Sequence, residues 1–222
     1  MVFFCCVRAQ KLIKCSGLTV SRSGGLEVNY LKRIKYNSPV VLTFAFVSLF
    51  VLLLDRITDG VSTMKLFCVY RSSFCDPLTY PRFFLHVLGH SGMSHYMSNI
   101  LLMLVIGPPL EEKFGSRALL AAMTITAFIS GIVQFAFFPG SALLGASGIV
   151  FMMIVMLSMT GKSTGTIPLT MILVLVLYVG QEVVTGLSSR DNISQLTHVI
   201  GGICGAVIGS VLYSGKFKRR RR

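Results

Sequence analysis

The sequence has few charged residues and no tryptophan. Only 13% of its 222 residues are charged, whereas 53% are hydrophobic, and the mean hydropathy is +0.74. Disordered chains combine low hydrophobicity with high charge, so this composition excludes disorder for most of the chain. It also excludes an ordinary soluble enzyme, whose interior is too small for so much apolar sequence. The length and composition therefore predict one integral membrane domain.

Acidic residues are scarce: eight Asp and Glu stand against 21 Lys and Arg, which gives a net charge of +13. Such an excess can indicate nucleic-acid binding, but here it is concentrated at the two ends of the chain. Seven basic residues precede the first long apolar run, and six lie among the last seven residues. Basic flanks around apolar spans follow the positive-inside rule. We therefore expect no nucleic-acid partner, and we expect the basic termini to bind anionic lipid.

Cysteine pairs with metal-binding spacing are missing. The six cysteines include no Cys-x-x-Cys pair, so a zinc site is not expected, and the sequence predicts no metal or other cofactor. Cys68 and Cys75 lie in one polar segment. They would pair if that segment faced an oxidising space, and two free thiols are an equally good interpretation.

Six apolar runs follow the basic amino-terminal segment. Most of them approach the ~20 residues that a helix needs to cross a membrane. Because backbone groups in lipid must bond within their own segment, we predict helices: an all-α bundle of six transmembrane helices. We expect the second run to end at Pro108-Pro109. The runs cover residues 39–54, 95–110, 116–138, 147–160, 166–187 and 194–213.

Charge and apolar pattern divide the chain into three parts. They are a basic cytoplasmic segment (1–37), a membrane domain (38–214) and a basic cytoplasmic tail (215–222). The apolar stretch at the start of the sequence is too short for a signal peptide. Both termini are expected in the cytoplasm, most simply at a bacterial cell membrane, with an organelle membrane as the alternative. The long loop 55–89, between helices 1 and 2, is then external, and short helices at or partly within the outer leaflet are expected there.

Polar side chains open three of the predicted spans. His95 and Asn99 start the second run, Ser147 the fourth, and His198 the sixth. Polar groups inside spans are costly and tend to be functional. With the amino terminus in the cytoplasm, all three spans enter from outside, so we expect the four groups at similar depth. His95 and Asn99 are four residues apart and therefore share a helix face.

These groups can support acyl-transfer chemistry. A serine needs an adjacent base to become a good nucleophile. His198 can take the Ser147 proton and later pass it to a leaving amine. No acidic residue accompanies His198 on its run, so the site would be a dyad. The His95 ring, the Asn99 amide and the Ser147 N–H are candidate hydrogen-bond donors for the oxyanion.

Glycines lie on both sides of the proposed dyad. Gly145 and Gly148 let the chain turn tightly around the serine. Gly201 and Gly205 follow His198 at helical spacing and let a neighbouring helix approach closely. Each pattern alone is usually plain packing. Catalysis is predicted from their combination at one depth.

At this point the residues resemble the rhomboid intramembrane serine proteases, over residues 82–209. The first-loop Trp-Arg signature of the family is Pro81-Arg82 here, so only its arginine is retained. The Gly-x-Ser-Gly and His-x-x-Gly-x-x-x-Gly motifs are complete. The positions similar to family motifs are Arg82, His90, His95, Asn99, Glu111, Gly145, Ser147, Gly148, His198, Gly201 and Gly205.

The resemblance implies a six-helix rhomboid-like bundle with a Ser147–His198 dyad and an oxyanion site from His95, Asn99 and the Ser147 N–H. It implies cleavage of single-span membrane proteins near the outer face, at small and helix-destabilising residues, with the run 166–187 as a lateral gate. One alternative is an inactive relative that binds membrane clients, but the serine and histidine are both present. Another is a transporter, but neither inverted repeats nor mid-membrane charges are found.

Overall fold

The computed structural model describes residues 36–160 and 192–220, and six single positions between them. For Thr160 and for residues 192–196 and 215–220 it describes the backbone alone. The predicted amino-terminal segment up to residue 35 and most of the predicted fifth span lie outside the described residues. The single positions are Leu169, Ile172, Leu173, Val176, Leu177 and Gly180.

The described part of the chain is mostly helical. Five of the six predicted apolar runs form helices, and two further short helices lie in the loop after the first run. The helices are α1 (Pro39–Ile57), α2 (Val61–Leu66), α3 (Thr79–Leu85), α4 (Met93–Phe114), α5 (Ser116–Phe137), α6 (Ser147–Thr160) and α7 (Asn192–Arg220). Two short strands, β1 (Val69–Tyr70) and β2 (Ala142–Leu143), pair antiparallel with Val69 opposite Leu143.

Three of the described helices are long and apolar enough to cross a membrane, judged by length and composition: Pro39–Ile57, Ser116–Phe137 and Thr197–Ser214. Helix α6 is apolar but shorter. Helix α4 has 22 residues, but its last turn carries three charged side chains. The protein is therefore an integral membrane protein, and the count of six spans stays a prediction.

Helix α6 forms the centre of the core. A helix that is apolar on every side is buried in protein or in lipid, and α6 is buried in protein. Helices α4, α5 and α7 all contact α6, and α1 packs against α4 on the outside. The buried side chains of α6 are Ile149, Val150, Phe151, Met152, Met153, Ile154 and Met156.

Helix α4 continues past the end that the sequence predicts. Pro108 and Pro109 lack backbone N–H groups and were expected to end the helix near residue 110, yet α4 runs to Phe114. That prediction was wrong because a contact outside the helix holds the last turn. The buried carboxylate of Glu111 accepts hydrogen bonds from the first backbone N–H groups of α1.

The segment between α1 and α4 has structure of its own. It contains α2, β1, α3 and a 3-10 turn, His86–Leu88. Cys68 is buried here and Cys75 is exposed, and both are free thiols. Burial raises the pKa of the Cys68 thiol to about 11, only partly offset by the nearby Arg82 charge. The short helices expected in this loop are present, and their depth in a leaflet stays a prediction.

Candidate active site

Ser147 is the first residue of α6 and is 9% exposed. The chain reaches it through a turn at Gly145, whose φ of +117° lies in the left-handed region that favours glycine. A Cβ on Gly145 would also lie 2.8 Å from the Nε2 atom of His95. Two independent reasons therefore require glycine at position 145.

The serine turn is hydrogen-bonded to the loop before α4. The backbone N–H of Gly145 donates to the carbonyl oxygen of His86 at 2.9 Å. Strand β2, just before this turn, pairs with β1 of the same loop. The loop between α1 and α4 therefore fixes the backbone that leads into Ser147.

Helices α6 and α7 run side by side in the same direction. A Cβ on Gly201 would collide with the carbonyl oxygen of Gly148, and a Cβ on Gly205 would lie 2.5 Å from that of Met152. Further along, a Cβ on Gly209 would lie 3.0 Å from the sulfur of Met159. Contact positions advance together along both helices, so the first turn of α6 lies beside the part of α7 that holds Gly201, one turn after His198.

His198 lies on α7 one turn before Gly201 and is 7% exposed. Its ring stacks on the ring of Phe151, with centroids 4.3 Å apart and an interplanar angle of 13°. Phe151 follows Ser147 by four residues, so the two side chains share one face of α6. The imidazole of His198 therefore lies against the face of α6 that carries Ser147.

His95 lies in the first turn of α4, where Ser91 fixes its tautomer. The backbone N–H of Ser91 donates to Nδ1 of His95 at 3.4 Å, and the Ser91 hydroxyl lies 3.1 Å from the same atom. Because a backbone N–H can only donate, Nδ1 is the acceptor, and a neutral ring carries its proton on Nε2. This Nε2–H group is the part of the ring next to Gly145.

Asn99 is fully buried one turn further along α4. Its side-chain nitrogen donates to the carbonyl oxygen of His95 at 2.9 Å. This contact agrees with the prediction that His95 and Asn99 lie on one face of the helix.

His90 is buried beside His95, with the two rings edge to face and their centroids 5.1 Å apart. Its Nδ1–H donates to the carbonyl oxygen of Leu88 at 3.2 Å. Burial, and then the nearby His95, lowers the pKa of His90 to about 4. A neutral His90 therefore supports one side of the His95 ring.

Arg82 organises the loop between α1 and α4, although the residue before it is proline. Its Nε donates to the carbonyl oxygen of Lys65 at 2.8 Å, and its Nη1 pairs with Asp76 at 2.9 Å. Its guanidinium also lies 4.7 Å from the ring centre of Tyr70, a residue of β1. A hydrogen bond from the Leu78 N–H, with help from Arg82, lowers the pKa of Asp76. Arg82 thus connects the loop to the strand pair before Ser147.

Glu111 lies far from this cluster. The 16 residues of α4 that separate it from His95 correspond to about 24 Å of helix. Its carboxylate accepts from the N–H groups of Val40 (3.0 Å) and Val41 (3.2 Å) and from the Ser116 hydroxyl (2.7 Å). A carboxylate at a helix N-terminus satisfies unpaired donors and favours the helix dipole. Glu111 is therefore a structural residue that joins α1, α4 and α5.

Three groups that the sequence did not indicate help to build the candidate site. Phe151 could have been found, because its spacing from Ser147 is that of a helix face. The hydroxyl of Ser91 and the backbone carbonyl of His86 give no such signal, because each acts through a contact made only in the folded chain. The predicted gate, residues 166–187, lies almost wholly outside the described residues. Within the described residues, no group of three or more His, Cys, Asp or Glu side chains could hold a metal ion.

Comparison with known proteins agrees with this architecture. The Rhomboid domain family model matches residues 77–215, more than half of the chain. Rhomboid-related protein 1 of Caenorhabditis elegans is 28% identical over 145 residues, which cover 59% of this chain. The aligned part is 39% of that relative, so the chain spans about two fifths of its length. The chain belongs to the rhomboid family.

Proposed function

We propose that the protein is an intramembrane serine endopeptidase with Ser147 as nucleophile and His198 as general base. The observation that supports this most strongly is the parallel contact of α6 and α7. Gly201 packs against the Gly148 carbonyl, and His198 stacks on Phe151, so both candidate groups belong to one buried end of the bundle. Family membership supports the same class of activity.

In the proposed reaction, His198 takes the hydroxyl proton of Ser147 as the oxygen attacks the scissile carbonyl carbon. The carbonyl oxygen becomes an oxyanion. The Nε2–H of His95, the Asn99 amide and the Ser147 N–H donate to it. His198 then gives its proton to the leaving amine, and the peptide C–N bond breaks. Water, deprotonated by His198, hydrolyses the resulting ester and restores the Ser147 hydroxyl.

The tautomer of His95 supports its proposed role. An oxyanion needs a donor, and the Ser91 contacts leave the ring proton on Nε2, beside the serine turn. Because this donor is set before substrate arrives, no reorientation is needed as charge develops in the transition state.

The proposed substrates are single-span membrane proteins, cleaved near the outer face at small, helix-destabilising residues. Both chain termini would lie in the cytoplasm, and the run 166–187 would admit the substrate sideways. These details come from the family resemblance and the charge distribution. The side on which Ser147 lies can be determined separately by labelling single cysteines in sealed vesicles.

The proposal is tested with purified protein in liposomes, a fluorophosphonate probe and a single-span model substrate. We expect labelling and cleavage by the wild type, and neither by Ser147→Ala or His198→Ala. Ser158→Ala is the matched control, because Ser158 lies on the same helix and its hydroxyl donates, among the described residues, to the backbone oxygen of Val155 one turn earlier. It should leave both readouts unchanged.

Cleavage that survives Ser147→Ala would overturn the mechanism. A folded wild type that neither labels nor cleaves any single-span substrate would favour the alternative, an inactive relative that binds membrane clients.

A further inference from the structure

A cavity of about 510 Å³ lies at the end of the bundle opposite the candidate active site. It is bordered by the start of α1, the last turns of α4 and the first residue of α5. About 24 Å of α4 separate Glu111, which lines the cavity, from His95. The volume is that of a small-molecule site and far exceeds the ~30 Å³ of one water molecule. The cavity is therefore large enough for an organic group.

Ser38 lines this cavity with a hydroxyl that caps nothing. It precedes α1, where a serine usually accepts a hydrogen bond from the second or third N–H of the helix. Here the carboxylate of Glu111 already accepts from those two groups, which belong to Val40 and Val41. The Ser38 side chain makes no cap hydrogen bond and has no partner among the described residues, although it is only 2% exposed. A buried hydroxyl is costly unless it is hydrogen-bonded, so this one is available to a ligand in the cavity.

Glu111 brings a negative charge to the cavity wall. Its side chain is 4% exposed, and its three hydrogen bonds come from neutral donors, which are two backbone N–H groups and the Ser116 hydroxyl. Among the described residues the ion pair is that of Arg82 with Asp76, so no basic side chain of this part neutralises Glu111. Buried charges are normally paired with an opposite charge. A cation in the cavity would supply that charge.

The cavity wall favours a cation over an anion. None of the described residues that line it is Lys, Arg or His, and three of them are prolines, which have no N–H to donate. A metal ion is not indicated, because the described residues hold no group of three or more His, Cys, Asp or Glu that could bind one. The prolines are Pro39, Pro108 and Pro109.

The wall also offers acceptors for a cation that donates hydrogen bonds. A carboxylate accepts about four hydrogen bonds, and Glu111 uses three, so one position remains. The exposed carboxylate of Glu112, the Ser38 hydroxyl and the side-chain oxygen of Asn37 add further acceptors. A primary ammonium group matches this set, because it is positive and carries three N–H donors, as the lysine side chain does.

We propose that this cavity binds a primary ammonium group, with Glu111 and Glu112 supplying the opposite charge and Ser38 accepting a hydrogen bond. Helix α1 is a membrane span and the cavity lies at its first residue, so both a lipid headgroup and a soluble amine can reach it. The two sources share the same ammonium chemistry. The inference goes beyond the proposed protease activity and does not depend on it.

The proposal is tested on the full chain in detergent at neutral pH, with Tm followed by circular dichroism. Ethanolamine chloride is compared with tetramethylammonium chloride, a cation without N–H groups, at equal concentration. Because a ligand of the folded state stabilises it, ethanolamine should raise Tm by about 2–4 °C once it exceeds its dissociation constant several-fold. Tetramethylammonium should not.

A second arm separates the two sources. Mixed micelles containing phosphatidylethanolamine are compared with micelles containing phosphatidylcholine, whose headgroup nitrogen carries methyl groups in place of hydrogens. A rise in Tm with phosphatidylethanolamine alone assigns the lipid headgroup, and a rise with ethanolamine assigns the soluble amine. A wild type that responds to neither, relative to the methylated controls, would overturn the proposal.

Variants locate the response. Ser38→Ala and Glu112→Gln should lose most of the rise in Tm and keep a Tm near that of the wild type without amine, because neither side chain holds the fold together. Asp59→Asn is the matched control, since Asp59 is an exposed acidic residue beyond the other end of α1, and it should respond as the wild type does. An undiminished rise in both Ser38→Ala and Glu112→Gln would place the amine elsewhere and overturn the proposal. Because the readout is Tm, an inactive protease gives the same answer.

Discussion

Gly201 touches the carbonyl oxygen of Gly148 so closely that no Cβ fits between the two helices there. The contact lies one residue after Ser147 and one turn after His198. Helix α7 can therefore approach α6 only because position 201 has no side chain. The distance between the proposed nucleophile and its proposed base depends on this contact.

Gly201→Ala should separate α6 from α7 and abolish labelling by the fluorophosphonate probe. Overpacking of a close contact costs about 1–3 kcal/mol, although alanine is otherwise the better helix former by about 1 kcal/mol. Thermal unfolding in detergent measures the change in stability, and probe labelling measures the loss of reactivity at Ser147. Gly202→Ala is the matched control, since the nearest atom that a Cβ at 202 would meet within the described part of the chain belongs to Val155, at 3.9 Å. Equal behaviour of the two variants would contradict the prediction.

Local periodicity predicted part of the site. The spacing of His95 and Asn99, and of Gly201 and Gly205, is a helical repeat that can be read from any sequence. The structure agrees with this spacing. Asn99 donates a hydrogen bond to the backbone of His95, and Gly201 and Gly205 both face α6.

Contacts between distant residues were not predictable in this way. The predicted end of α4 was wrong because proline is a local signal. Glu111 holds that turn through hydrogen bonds with Val40 and Val41, which precede it in the chain by 71 and 70 positions. The bond from the Gly145 N–H to the His86 carbonyl uses only backbone atoms, so no residue type indicates it. Sequence patterns specify helix faces, and the folded chain decides which faces meet.

His95→Ala should reduce kcat about 10²- to 10³-fold, the usual cost of one oxyanion donor, with little change in KM. Ser91→Ala should reduce kcat about fivefold, or about 1 kcal/mol, because His95 loses one hydroxyl contact and keeps the backbone donor. Steady-state cleavage of a model substrate in liposomes measures both. Ser94→Ala, an exposed serine beside His95, should be neutral. A wild-type kcat in His95→Ala would remove this residue from the oxyanion site.

Glu111→Ala should destabilise the fold far more than it affects the chemistry, because Glu111 lies at the opposite end of α4. The change leaves the N–H groups of the half-buried Val40 and the buried Val41 without this acceptor, at a cost of about 1–3 kcal/mol. Thermal unfolding in detergent should show a lower Tm, while any remaining folded enzyme labels normally. Glu112→Ala is the control, because Glu112 is exposed. Matching Tm values for the two variants would show that the Glu111 contacts contribute nothing.

The stability of the protein should fall with pH below about 6.5, because two buried histidines outside the spans stay neutral in the fold. Burial lowers the pKa of His86, and of His90, to about 4, from an ordinary value of 6.5. Between these values the unfolded chain binds protons that the folded chain does not. The contribution of the two histidines to the free energy of unfolding is therefore fully present above pH 6.5 and decreases as pH falls towards 4.

Each group contributes at most about 1.4 kcal/mol per pH unit in that window. Tm measured in detergent at steps between about pH 7 and about pH 5 tests this, beside His90→Asn, whose amide can still donate to the Leu88 carbonyl. Asparagine does not titrate, so the Tm of His90→Asn should fall less steeply with acid than that of the wild type. Parallel curves would mean that His90 has the same pKa in both states, which would contradict a pKa lowered by burial in the fold.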